Sequence, residues 1–168
     1  MEGHSNRGSG LILFGVVTVG VMALVKSFLP KKVTIKWSYP KTFYNGLYSD
    51  EAFDGWGLYT IAAKVKGKEI LLYIGKAYKS NFYDRLSEHE RKWLHKYSGD
   101  KYVRFGHFER PFIVSESAVH DVESALILEH QPIHNKMQKK SYTYTSQRII
   151  KSVGNRGLIK KIVRMDDH

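Results

Sequence analysis

The residues richest in chemistry occur in one order along the chain: Tyr59 in Gly57-Leu58-Tyr59, Tyr73 in Tyr73-Ile74-Gly75, then Arg85, His89, Glu123 and Asn135. Two phenols and an imidazole can move protons, a guanidinium can grip a phosphate with paired hydrogen bonds, and an inward carboxylate can hold a hard cation. These are the groups needed to cut a nucleic-acid phosphodiester. Water attacks in line, and the site supplies a base, a cation against the developing charge and a donor on the phosphate. Singly, each has a plainer reading: a strand tyrosine packs, a helical arginine is solvated, and a half-buried glutamate pairs with a lysine or arginine. Their occurrence together, in this order, is what points to catalysis.

Positioning them takes a hairpin and two helices. Residues 57–65 and 69–75 flank Lys66-Gly67-Lys68, which reads as a three-residue hairpin loop with a central glycine. Symmetry about Gly67 sets Tyr59 opposite Gly75 and puts Tyr73 on the same face, diagonal to Tyr59. Ser80-Asn81 can cap a helix running to about Tyr97, with Phe82, Leu86, Trp93 and Tyr97 as its apolar stripe and Arg85, His89, Lys92 and Lys96 beside it. A strand over 102–108 follows, then a further one around 112–114. Ser117 caps a second helix that ends near Pro132 and turns Val119, Val122, Leu126 and Ile127 inward. Glu123 falls between Val119 and Ile127, half buried, and calls for a metal or an arginine, whereas Asp121 points away. His95, His107, His120, His130 and His134 read as structural or solvent-facing.

Over roughly residues 55–137 this ordered set resembles the GIY-YIG nuclease family. The second tripeptide matches outright, and the first has Leu58 for the usual Ile, a volume-conserving exchange. Arg85 with His89 four residues on, and Asn135 twelve residues after Glu123, are similar to the restriction enzymes of that family. The resemblance implies an α+β fold with a small mixed or antiparallel sheet of three to four strands flanked by helices. It also implies endonuclease activity on DNA, with RNA left open, using one divalent metal, Mg²⁺ or Mn²⁺. Glu123 would then hold the metal and Arg85 the scissile phosphate. Tyr59, its proton drawn off by His89 or lowered by the metal field, would be the base, and Tyr73 would orient the water or the phosphate. Asn135 would pin the active-site edge beside Gly75, and Lys76, Lys92 and Lys96 would contact nucleic acid.

Composition suits a polyanionic partner. Lys and Arg number 27 against 16 Asp and Glu, a formal charge of +11, which fits nucleic acid or an acidic lipid surface. The lack of cysteine excludes disulfides, thiolate metal sites and thiol nucleophiles. The 168 residues leave room for one domain with extensions. These read as an N-terminal tail (1–9), an apolar membrane span (10–30), a connector (31–54) with alternation over 33–37, the nuclease-like domain (55–140) and a basic tail (141–168). As a helix the apolar stretch reaches roughly 30 Å, enough for one crossing. Lys26, Lys31 and Lys32 against Arg7 then place the C-terminal body in the cytoplasm. A cleaved signal peptide and a buried core helix are the rival readings of that stretch. The tail either tracks phosphate or lipid, or packs its aliphatic side on the domain as a helix. The alternative function is a catalytically weak, membrane-tethered nucleic-acid-binding module, and a third is an anchored adaptor that recruits a protein through the tail.

Overall fold

The computed structural model describes residues 31–112 and 114–165. The stretch 10–30 read as a membrane span lies outside them, and among the described residues no helix is long and apolar enough to cross a membrane. The chain enters the fold through β1 (Lys31–Trp37), where Val33, Ile35 and Trp37 are buried and the residues between them are not. After β2 (Lys41–Thr42) and two short helices, α1 (Phe43–Leu47) and α2 (Asp50–Asp54), come β3 (Gly57–Val65) and β4 (Lys68–Ala77). Helix α3 (Phe82–Lys92), a 3₁₀ turn (Leu94–Lys96), β5 (Asp100–Phe108) and α4 (Glu116–His130) follow. β6 (Arg148–Gly154) and β7 (Ile162–Arg164) complete the order.

These strands make one seven-stranded mixed sheet in the order β4-β3-β5-β1-β6-β7, with β2 paired to β5. This corrects the expected small sheet of three to four strands. The connector and the basic tail supply β1, β2, β6 and β7, and β1 lies in the interior of the sheet, antiparallel to β5 and parallel to β6 along its whole length. The tail is therefore not a helix in its described part. Its alternation, with Arg148, Ile150 and Ser152 buried, is masked because two of the three inward residues are polar. Phe112 and Val114 belong to no strand and pack instead against the core.

The hairpin reaches the expected pairing by another route. Its loop has two residues, Lys66 and Gly67, both at positive φ (49° and 80°), the backbone a tight hairpin turn requires. That turn alone would slip the register by one, but a bulge at Leu72 restores it. Ile61 pairs Tyr73 and Ala62 pairs Leu71, which leaves Tyr59 opposite Gly75. The bulge also sends Leu72 and Tyr73 to the same face of the sheet, while Leu71 and Ile74 face the other way.

Each face carries its own core. One joins Val33, Ile35 and Trp37 to Val119, Val122 and Leu126 of α4 and to Ile150 of β6. The other joins Tyr59, Ile61 and Phe105 to Phe82 and Leu86 of α3. Asn81 caps α3 by accepting from Asp84 N at 2.9 Å, and α3 ends at Lys92, short of the expected Tyr97, because Trp93 leaves helical geometry (φ −151°). Ser115, not Ser117, caps α4, accepting from Ala118 N at 3.2 Å.

Asp121 points away from the first core's cleft side but is not solvated, being 1% exposed. It accepts hydrogen bonds from Thr145 N and Thr145 Oγ1 and from Arg148 Nη2 at 3.4 Å, tying the C-terminal strands to α4. Replacing Asp121 by Ala strands the buried Arg148 charge and removes the acceptor of the Thr145 donors. The expected loss is about 3–5 kcal/mol in denaturant unfolding, well beyond a surface ion pair.

Candidate active site

A cleft of about 570 Å³ opens at the outer edge of β4, the end strand of the sheet order, and Tyr73, Lys76, Arg85, His120, Glu123 and Asn135 are on its wall. An uncovered strand edge exposes unpaired peptide groups. Here residues 133–135 cover it: His134 N donates to Leu72 O at 2.8 Å, and Asn135 brackets Ile74, accepting from its N–H at 3.0 Å and donating to its carbonyl at 2.8 Å. Asn135 does for Ile74 what a further strand would do, and it is buried.

Gly75 makes room for the phenols. A Cβ built there would lie 2.5 Å from Cζ and Oη of Tyr59 and 2.7 Å from Cε1 of Tyr73, so the Tyr59 ring lies across the space a side chain would fill. The two rings stack at 6.1 Å. Tyr59 is fully buried and does not line the cleft, whereas Tyr73 does. Burial pushes the Tyr59 phenol well above the ordinary range and Tyr73 upward as well, with the Glu123 carboxylate adding to both and the Arg85 guanidinium opposing.

His89 connects α3 to these rings. Its Nε2 lies 2.8 Å from Tyr59 Oη, and its Nδ1 accepts from the Trp93 indole N–H at 3.0 Å. An indole nitrogen can only donate, so the neutral imidazole carries its proton on Nε2 and donates it to Tyr59. In this tautomer His89 donates to Tyr59 Oη, whereas the expected transfer of the Tyr59 proton to His89 requires Nε2 without its hydrogen. Trp93 in turn stacks on His134 at 4.1 Å. The break at Trp93 thus serves the site.

Glu123 faces the cleft at 9% exposure. Among the described side chains it meets Lys76, whose Nζ is 2.9 Å from Oε2 and also 2.8 Å from His120 Nδ1. Arg85 reaches the cleft from α3 with Nη1 2.8 Å from Glu88. Lys92 and Lys96 are exposed and stand away from the cleft wall, Lys92 paired with Glu88. No group of three or more His, Cys, Asp or Glu side chains that could cage a metal occurs among the described residues. A single cleft-facing carboxylate does fit Mg²⁺, which takes one or two carboxylates and fills its shell with water and substrate oxygens.

Three contributors were not singled out from the sequence as site residues. Trp93 stands four residues after His89, and an indole N–H near a buried imidazole is a donor in search of an acceptor. His120 precedes Glu123 by one helical turn, and His134 adjoins Asn135.

Burial and the nearby Arg85 charge lower His89 to about 4. The unfolded chain, with histidine near 6.5, binds the proton first as pH falls. Stability should therefore be flat above about pH 6.5 and decline between 6.5 and 4, with His89 contributing on the order of 3 kcal/mol of that loss. His130 and His134, both lowered by burial, add to the same slope. Unfolding free energies measured across this range should fall less in His89→Gln than in the parent. An identical slope would place the titration elsewhere.

Comparison with protein-family models, curated proteins and solved structures finds no match to this chain.

Proposed function

We propose that the chain is a divalent-metal-dependent endonuclease that hydrolyses DNA phosphodiesters, the activity implied by its resemblance to the GIY-YIG nucleases. The observation that carries this reading is convergence. Tyr73 and Arg85 come from one face of the sheet, Glu123 and Lys76 from the side of α4, and all four line one open cleft at the β4 edge. Packing alone does not require a carboxylate, two cations and a phenol at a shared opening.

Within the cleft, Arg85 can hold a phosphate bidentately, and its tie to Glu88 fixes the guanidinium before the substrate arrives. Bound at Glu123, Mg²⁺ or Mn²⁺ would supply positive charge against the charge growing on the phosphate. Lys76 adds a cation to the same wall. Tyr73 is the phenol that meets solvent, so it takes the contact with the attacking water. Tyr59 is a positioning residue: it packs against Tyr73 and receives the His89 hydrogen bond.

The Lys76 contact also favours a second reading. A carboxylate already paired with an ammonium group repels phosphate less, which serves a module that binds nucleic acid without cutting it. Incubating the full chain with plasmid, linear DNA and RNA, with and without Mg²⁺, separates the two. Metal-dependent cleavage of DNA is expected, lost in Glu123→Gln and reduced on the order of 10²-fold or more in Arg85→Ala. Tyr73→Phe should lower turnover with little change in affinity, and Tyr59→Phe should lower it less. Binding with no cleavage under Mg²⁺ or Mn²⁺ would establish the binding module instead.

A further inference from the structure

A second cleft, of the same size as the first, lies at the amino end of α4. The N-cap Ser115 and Ala118 of the first helical turn line it, which sets the cleft at the positive end of the helix dipole, with the Ala118 N–H already donated to Ser115 Oγ. Lys31, Lys32 and Arg110 line it as exposed cations, with Glu109 the one opposing charge among its lining residues. Arg148 lines it too. That residue is 5% exposed, and its Nε is buried with no partner among the described residues, although Nη2 reaches Asp121. With three exposed cations against one carboxylate and a guanidinium on its wall, the cleft suits an oxyanion.

A run of rings connects this cleft to the catalytic one. Tyr78, on the wall of the catalytic cleft, meets the edge of Trp56 at 5.8 Å. Trp56 lies nearly parallel to Phe108 at 6.3 Å, and Phe108 to Phe112 at 5.9 Å. The Arg148 guanidinium sits 5.5 Å over the Phe112 ring. Trp56 is 44% exposed, an indole surface that the fold itself does not cover.

We propose that this face is a track for single-stranded nucleic acid. One phosphate sits among Lys31, Lys32, Arg110 and Arg148, and an unpaired base stacks on Trp56, between that phosphate and the catalytic cleft. Aromatic platforms combined with cations are suited to single strands, because bases in a duplex are already stacked and paired and offer no free face. The direction of the track rests on the nuclease reading, since it ends where the bond is cut. Its affinity does not.

The test is binding of the full chain, without divalent cation, to a fluorescent oligodeoxythymidylate of about 20 nucleotides and to a duplex of equal length. The single strand should bind about tenfold or more tightly. Trp56→Ala should weaken it about tenfold, the loss of one stacked base, while Trp56→Phe, which keeps a ring, should retain most of it. Replacing Lys31, Lys32 and Arg110 by Ala should weaken binding and reduce the salt slope by roughly 0.7 for the phosphate lost. Circular dichroism confirms that each variant is folded. Equal binding of duplex, or a folded Trp56→Ala protein that binds as the parent does, overturns the track. So does a finding that phosphatidylglycerol vesicles, and not the oligonucleotide, depend on the three cations. A chain that binds in this way yet cuts nothing with Mg²⁺ sinks the nuclease reading and leaves the track standing, whereas one that cuts but prefers duplex does the reverse.

Discussion

The cleft at the β4 edge depends on a side chain that is missing. Because position 75 carries only hydrogen, the Tyr59 ring can lie across β4, and from there a circuit of contacts closes on itself. Tyr59 meets His89, His89 accepts a hydrogen bond from the Trp93 indole, Trp93 stacks on His134, and the next residue, Asn135, holds the peptide of Ile74 beside Gly75. Every member is fixed by its two neighbours. Such circuits are cooperative, since the buried partners Tyr59, His89 and Asn135 are costly to leave unpaired. The phenol that meets solvent, Tyr73, is the one ring stacked against the circuit that also reaches the cleft.

The bulge at Leu72 is the second constraint. A regular strand would place Tyr73 opposite in face to Leu72, and the apolar alternation of β4 would then force a choice between filling the α3-side core and aiming a phenol at the cleft. One additional residue removes the conflict. Leu72 fills the core, Tyr73 stands on the same face nearer the edge, and Ile74 returns to the other core. The cleft lies where the two faces meet, which is why groups from α3 and α4 can share it.

The hairpin, the two main helices and the inward turn of Glu123 were legible from the sequence because they follow from local periodicity and turn chemistry. Even there, the expected three-residue loop and the actual two-residue turn plus bulge arrive at the same Tyr59–Gly75 pairing, so the pairing could be read while its cause could not. The identity of Glu123's partner was beyond reach, because helical spacing says which way a carboxylate faces but not that Lys76 will meet it from β4. The size of the sheet was missed for a related reason. The alternation of Val33, Ile35 and Trp37 is visible, but nothing nearby announces that its partners are β5 and β6, and the inward Arg148 and Ser152 hide the period of β6.

The parallel pairing of β1 with β6 also sets an order of events. The hairpin of β3 and β4 joins neighbours and can close in roughly 1–10 μs once made. β1 must wait for residues 148–154, which a ribosome adding about 5–20 residues per second delivers on the order of ten seconds later. Until then one side of an apolar interior strand has nothing to pair with. A chain that stops early, or is clipped ahead of its last strands, therefore keeps its β3–β4 hairpin but carries an open seam through the middle of its sheet, ready to be joined by a strand from another molecule.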